Sequence, residues 1–235
     1  MRTLLATIAL LVPLAAGCGS TSKKAEPFPQ GTESVKLDPG DFSAEIDNPY
    51  WPMRPGSKWV YREGNARVEV TVTDKTRKII GIDARVVHDV LTEDGKVKED
   101  TFDWYAQDAS GNIWYLGENT KEFGKGGKIS TEGSWEAGVD GAQPGILLPG
   151  KPKAGLSYRQ EYYKGEAEDL AEVLSVDARA RVPVGSFEQL LQTKEYTPLE
   201  PDVAEHKFYA KRIGPILAVT VSGGSGREEL VQRRE

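Results

Sequence analysis

The chain has 235 residues, 30 Lys and Arg against 36 Asp and Glu, 38% hydrophobic residues and one Cys, with a mean hydropathy of −0.48. That length suits a single domain with a real core, and no late apolar run of ~20 residues is present to build a polytopic membrane protein. A net charge of −6 argues against a nucleic-acid partner, which needs a basic face, and a lone Cys excludes an internal disulfide framework or a Cys-rich zinc site.

Residues 1–17, MRTLLATIALLVPLAAG, combine a basic Arg2 with a short apolar stretch. The stretch is too short to span a bilayer but suits the core of a signal peptide. The small residues Ala15, Ala16 and Gly17 run directly into Cys18. This resembles the bacterial lipobox, with Ala15 standing where Leu is usual. The resemblance implies that Cys18 receives a diacylglycerol (palmitate-type) anchor and becomes the first mature residue. The chain would then sit in the bacterial cell envelope, held to the membrane by lipid and facing away from the cytoplasm. Residues 18–40 are rich in Ser, Thr, Lys, Glu, Pro and Gly and read as a flexible tether.

Residues 41–235 read as one antiparallel β domain. Residues 57–63 run through Gly64-Asn65 into 66–74, where Val68, Val70 and Val72 alternate with polar residues, the mark of a half-buried strand. The spacing predicts one long strand over 78–92, with Ile80, Ile82, Ala84, Val86, His88 and Val90 on one face. Asp94-Gly95 then predicts a tight hairpin into 96–105. Another turn at 108–112 leads into 113–117, and short turns between strands imply a meander. Residues 118–155 are Gly-rich without a period and read as one long loop. Strands resume over 156–163, 179–183, 187–196, 205–211, 213–222 and 227–232. Residues 166–174 carry helical spacing, yet no clean cap opens a helix there and the flanking segments are strands, so this stretch is also read as strand. The expected class is all-β: one curved antiparallel sheet or half-barrel of about ten to twelve strands.

Several stretches carry a family resemblance: NPYWPMRPGSKWVYR (48–62), EDTFDWYAQDASGNIWYLGE (99–118), GSWEAGVDGAQPGI (133–146), YRQEYYKGEAED (158–169), VPVGSFEQLLQTKEYTPLEPD (182–202) and KFYAKRIGPI (207–216). They resemble an uncharacterised family of secreted bacterial lipoproteins, distantly similar to LolA-like half-barrels. The resemblance implies a curved antiparallel sheet and brings no chemistry with it.

The side chains supply little for catalysis. Only His88 and His206 could serve a Ser–His–acid set, and no G-x-S-x-G elbow occurs. No three-ligand metal set is spaced to close, and no cofactor motif is found. Asp108-Ala-Ser-Gly-Asn112 lacks the alternating acids of a calcium loop and reads as a β-turn. The aromatics gather in the first half, and an incompletely closed sheet would turn them into a pocket lining. Pro49, Pro52 and Pro55 fix an extended entry segment with Trp51 packing as a plug. The candidate binding residues are Trp59, Trp104, Tyr105, Trp114, Trp135, Glu136, Asp140 and Glu161. Together these features point to a non-catalytic module for an apolar or amphipathic ligand or an envelope partner. Two alternatives stay open: a carboxylate hydrolase of envelope polysaccharide drawing on Asp103, Glu136, Asp140, Glu161 and Glu166, and a calcium-stabilised structural protein.

Overall fold

The computed structural model describes residues 28–235; the leader, the proposed lipid site at Cys18 and the first part of the tether lie outside the described residues. The described chain is all-β, as expected, but holds sixteen strands rather than ten to twelve. The first six are β1 (Phe42–Ser43), β2 (Lys58–Glu63), β3 (Ala66–Ile79), β4 (Ile82–Glu93), β5 (Lys96–Asp108) and β6 (Ile113–Phe123). The Gly-rich stretch is not one loop: it carries β7 (Ile129–Ser130), β8 (Trp135–Glu136) and β9 (Gln143–Leu148). Then come β10 (Ser157–Arg159), β11 (Glu161–Tyr162), β12 (Leu170–Val182) and β13 (Gly185–Tyr196). The last three are β14 (Ala204–Ala210), β15 (Gly214–Ser222) and β16 (Arg227–Arg234).

All pairings are antiparallel, and the main path runs β10-β12-β13-β14-β15-β16-β2-β3-β4-β5-β6-β9-β11. Its two ends, β10 and β11, are separated in sequence by Gln160 alone. The sheet therefore curls almost full circle, further than the half-barrel expected. Arg159 stitches the seam. Its side chain is 1% exposed and donates to Pro144 O on β9 (2.8 Å), to Glu33 O (2.9 Å) and to Gly31 O. Its own amide donates to Pro29 O (2.6 Å). Phe28–Gly40, assigned by composition to the tether, thus lies against the barrel: Phe28 packs edge-on to Tyr158 and Val35 N donates to Gln143.

The strand expected over 78–92 is broken by a hairpin at Ile80-Gly81, both at positive φ (43° and 88°). A β-branched residue is a rare choice there, which is why composition hides the turn. Register then fixes what faces inward. Val70 pairs with Asp89 and Val72 with Val87, and this set looks into the barrel. The alternate face, carrying His88, looks out: His88 stacks on Phe102 (4.3 Å, 3°) with Nε2 2.6 Å from Asp100 Oδ1. Residues 166–174 enter β12 at Leu170 and form no helix. The β12–β13 hairpin bends at several register shifts, and its tip reaches β16, where Arg227 donates to Arg181 O.

Candidate functional site

The barrel encloses a cavity of about 310 Å³, at the lower end of the range for small-molecule sites. A burial gradient along five strands locates its mouth. Val72 and Val70 are buried while Val68 is half-buried; Val87 is buried and Asp89 half-buried. Tyr105, Asp103 and Thr101 are buried and Glu99 half-buried; Ile216 and Leu230 are buried, Ala218 and Glu228 half-buried. The cavity thus opens toward the 64–65, 94–95 and 223–226 turns.

The opposite end is plugged from the entry segment. Arg212 N donates to Pro49 O (2.7 Å), which sets Trp51 against Trp59, Tyr105 and Tyr209, ring centroids 6.1–6.5 Å apart. Trp59 Nε1 donates to Ile213 O (2.7 Å) and Tyr61 OH to Pro215 O (3.0 Å). Gly214 makes this approach feasible: at φ +108° a Cβ would stand 2.9 Å from Trp51 Cδ1 and 3.1 Å from Trp59 Nε1. The floor and lower walls are therefore aromatic, from Trp51, Tyr61, Tyr105, Tyr115 and Tyr209.

Above that floor the lining is acidic, with eight carboxylates against one amine, Lys207. Asp103 and Glu118 face each other across β5 and β6 in register. Tyr115 OH lies 2.6 Å from Asp103 Oδ1 and 3.0 Å from Glu118 Oε2. A phenol has one proton to give, so one of the two acids must supply its own. Burial, reinforced by the charge of Asp103, pushes Glu118 up to about 8, whereas burial countered by the tyrosine hydrogen bonds brings Asp103 only to about 6. At neutral pH the chain therefore runs from protonated Glu118 to Tyr115 to ionised Asp103. On another wall Glu195 is satisfied by Lys207 (2.7 Å), Tyr209 OH (3.0 Å) and Thr193 (2.9 Å). Burial alone would lower Lys207, but the neighbouring Glu195 outweighs it and raises the amine.

Three of the remaining five acids are poorly matched. Asp89 and Glu228 line the cavity and make no hydrogen bond or ion pair with the described chain. Burial raises both, Asp89 well above the usual carboxylate range and Glu228 to about 7. Glu161, 9% exposed, accepts a hydrogen bond from Trp135 Nε1 on Oε2 (2.7 Å) and is raised first by burial, then by Asp169.

Of the residues singled out from sequence, Asp103, Tyr105 and Glu161 line the cavity. Trp59 and Trp135 support it from behind. Trp104 lies on the outer face under the Arg77 guanidinium (4.2 Å), and Trp114 packs against Phe42 with its Nε1 on Asp108. Glu136 pairs with Arg77 (2.6 Å), and Asp140 sits exposed in a turn. Glu166 is exposed as well. The Asp108 carboxylate is occupied by Ser110, Asn112 and Trp114 as the brace of its turn. Sequence reading missed Asp89, Glu118, Glu195, Lys207 and Glu228, whose inward direction shows only once the register is known.

No family model and no curated protein matches the chain. Two solved structures are similar to it. One, from Bacteroides fragilis, is described as an exported protein with a YmcC-like fold; it is 12% identical, with 79% of this chain and 99% of that chain covered and a TM-score of 0.47. The other, from Parabacteroides distasonis, is described as a lipoprotein; it is 11% identical, with 79% and 98% covered and the same TM-score of 0.47.

Proposed function

We propose that this chain is a lipid-anchored protein of the bacterial cell envelope whose barrel interior binds one small amphipathic molecule without transforming it. One observation carries the reading: a cavity of about 310 Å³ open at one end, aromatic below and polar above. A barrel filled only for stability places aliphatic side chains inside. Here tyrosines and carboxylates occupy those positions, at a cost in desolvation, and such costs concentrate at functional sites. The acids make a purely apolar ligand a poor match. Of the acids named for the hydrolase reading, Glu136 is paired with Arg77 and Asp140 and Glu166 are exposed away from the cavity lining, which disfavours that reading.

The lipobox-like leader supports the anchor. Nine residues lie between Cys18 and Phe28, which limits the distance between lipid and barrel to about 35 Å. Incorporation of a labelled fatty acid into the wild-type chain, and its loss in Cys18→Ala, tests the attachment. Native mass spectrometry of the mature Cys18→Ala protein tests the site. A single bound small molecule is expected, displaced when Ala218→Trp fills the mouth. A bare protein mass from both proteins contradicts the reading.

A further inference from the structure

The cavity is matched to one kind of polar group. Its lining offers many acceptors and few free donors. The Lys207 amine is held by Glu195 (2.7 Å), the Thr101 hydroxyl by Glu99 and Thr120, and the Tyr61 and Tyr115 hydroxyls by Pro215 O and the Asp103–Glu118 pair. On the acceptor side, Glu161 is nine-tenths buried; its Oε2 is used by Trp135, while Oε1 has no hydrogen-bond partner among the described residues. Asp89 on β4 and Glu228 on β16 add two more carboxylates to the lining with no hydrogen bond or ion pair among the described residues. A neutral hydroxyl could satisfy one such oxygen, but only a cation with several N–H donors answers several carboxylates at once. The tyrosine faces beneath them also favour positive charge.

We propose, building on the interior-site reading above, that the ligand is an organic ammonium ion held at the mouth by Asp89 and Glu228, with its apolar body against Tyr61 and Tyr105. An anionic amphiphile such as a fatty acid is excluded by the same carboxylates. A zwitterionic headgroup brings a phosphate into the acidic mouth, so a free amine fits better than a lipid-borne one.

The test is calorimetric titration of the mature Cys18→Ala protein at pH 8 with three probes of matched size: hexylammonium, 1-hexanol and hexanoate. Hexylammonium is expected to bind one to one, at least tenfold more tightly than 1-hexanol, with no binding of hexanoate. Asp89→Asn and Glu228→Gln keep side-chain size and remove no hydrogen bond or ion pair among the described residues, so both should fold. Each is expected to weaken hexylammonium about tenfold and leave 1-hexanol unchanged. If 1-hexanol or hexanoate binds as tightly as the amine, or if neither variant weakens the amine, the ammonium inference falls while the interior site stands. If none of the three binds the folded protein, the interior-site reading itself falls. A fourth titration with lysophosphatidylethanolamine separates the sources. Asp89-dependent binding supports the ammonium reading and places the cation on a lipid headgroup; exclusion supports it with a free amine.

Discussion

Replacing Arg159 by Met probes what keeps the sheet curled. The guanidinium is buried, at 1% exposure, and donates to three backbone carbonyls: Pro144 on β9 and Gly31 and Glu33 in the N-terminal segment. Hydrogen bonds from a charged donor contribute about 1.5–3 kcal/mol each. Against them stands the desolvation of the guanidinium, which lowers its pKa, and Met recovers much of the packing of the stem. The Pro144 carbonyl is left without its donor in a buried setting, which costs about 1–3 kcal/mol. The net loss is expected near 3 kcal/mol, or a fall in Tm of about 6–12 °C for a chain of this size. Urea unfolding measures the first quantity and a thermal scan the second. Limited proteolysis adds a local readout, with new cleavage between residues 30 and 40 as that segment comes away from the seam. A loss below about 1 kcal/mol with residues 30–40 still protected would refute the role given to this side chain.

Three further outcomes follow from the same geometry. Gly214→Ala should cost at least about 2 kcal/mol, since its Cβ would stand 2.9 Å from the Trp51 ring at a φ of +108°; near-wild-type urea stability would contradict the plug. Ile80→Asn should stabilise the chain by about 1 kcal/mol, because Asn accepts the left-handed backbone that Ile80 adopts at φ 43°; thermal unfolding decides it. Stability should fall as pH rises from about 5 to 8, because Glu118, raised to about 8, and Glu228, raised to about 7, keep their protons in the folded protein and lose them in the unfolded one. Each such group contributes a slope of up to about 1.4 kcal/mol per pH unit within its window. Glu118→Gln should flatten the Tm profile over that range, and an unchanged slope would count against the raised carboxyl.

The fold was readable where local chemistry and period agree. Asp94-Gly95 is a turn by composition and by backbone angle, and Val68, Val70 and Val72 alternate as a strand with one buried face must. Pro49, Pro52 and Pro55 announced the extended entry that seats Trp51. The hairpin at Ile80-Gly81 was hidden because an Ile holds a position that Asn or Gly usually takes. The site was harder to read for a deeper reason. A period of two separates the faces of a strand without saying which turns inward. In β4 the Ile82–Val86 face looks like core, and it is buried, but beneath the N-terminal segment and β1 on the outside. Asp89, which looks like a solvated acid, faces the cavity. The same inversion hid Glu118, Glu195 and Glu228. Trp104 and Trp114 drew notice together with Tyr105, yet only Tyr105 and the neighbouring Asp103 and Tyr115 line the cavity.

The affinity for hexylammonium measured at pH 5.5 and again at pH 8 tests the central claim most directly. Binding a cation requires ionised partners; burial raises Glu228 to about 7 and pushes Asp89 well above the usual carboxylate range, so the affinity should rise at least tenfold between the two conditions, with protons released on binding. An affinity that is constant or falls with pH would contradict an acidic interior built to hold an amine.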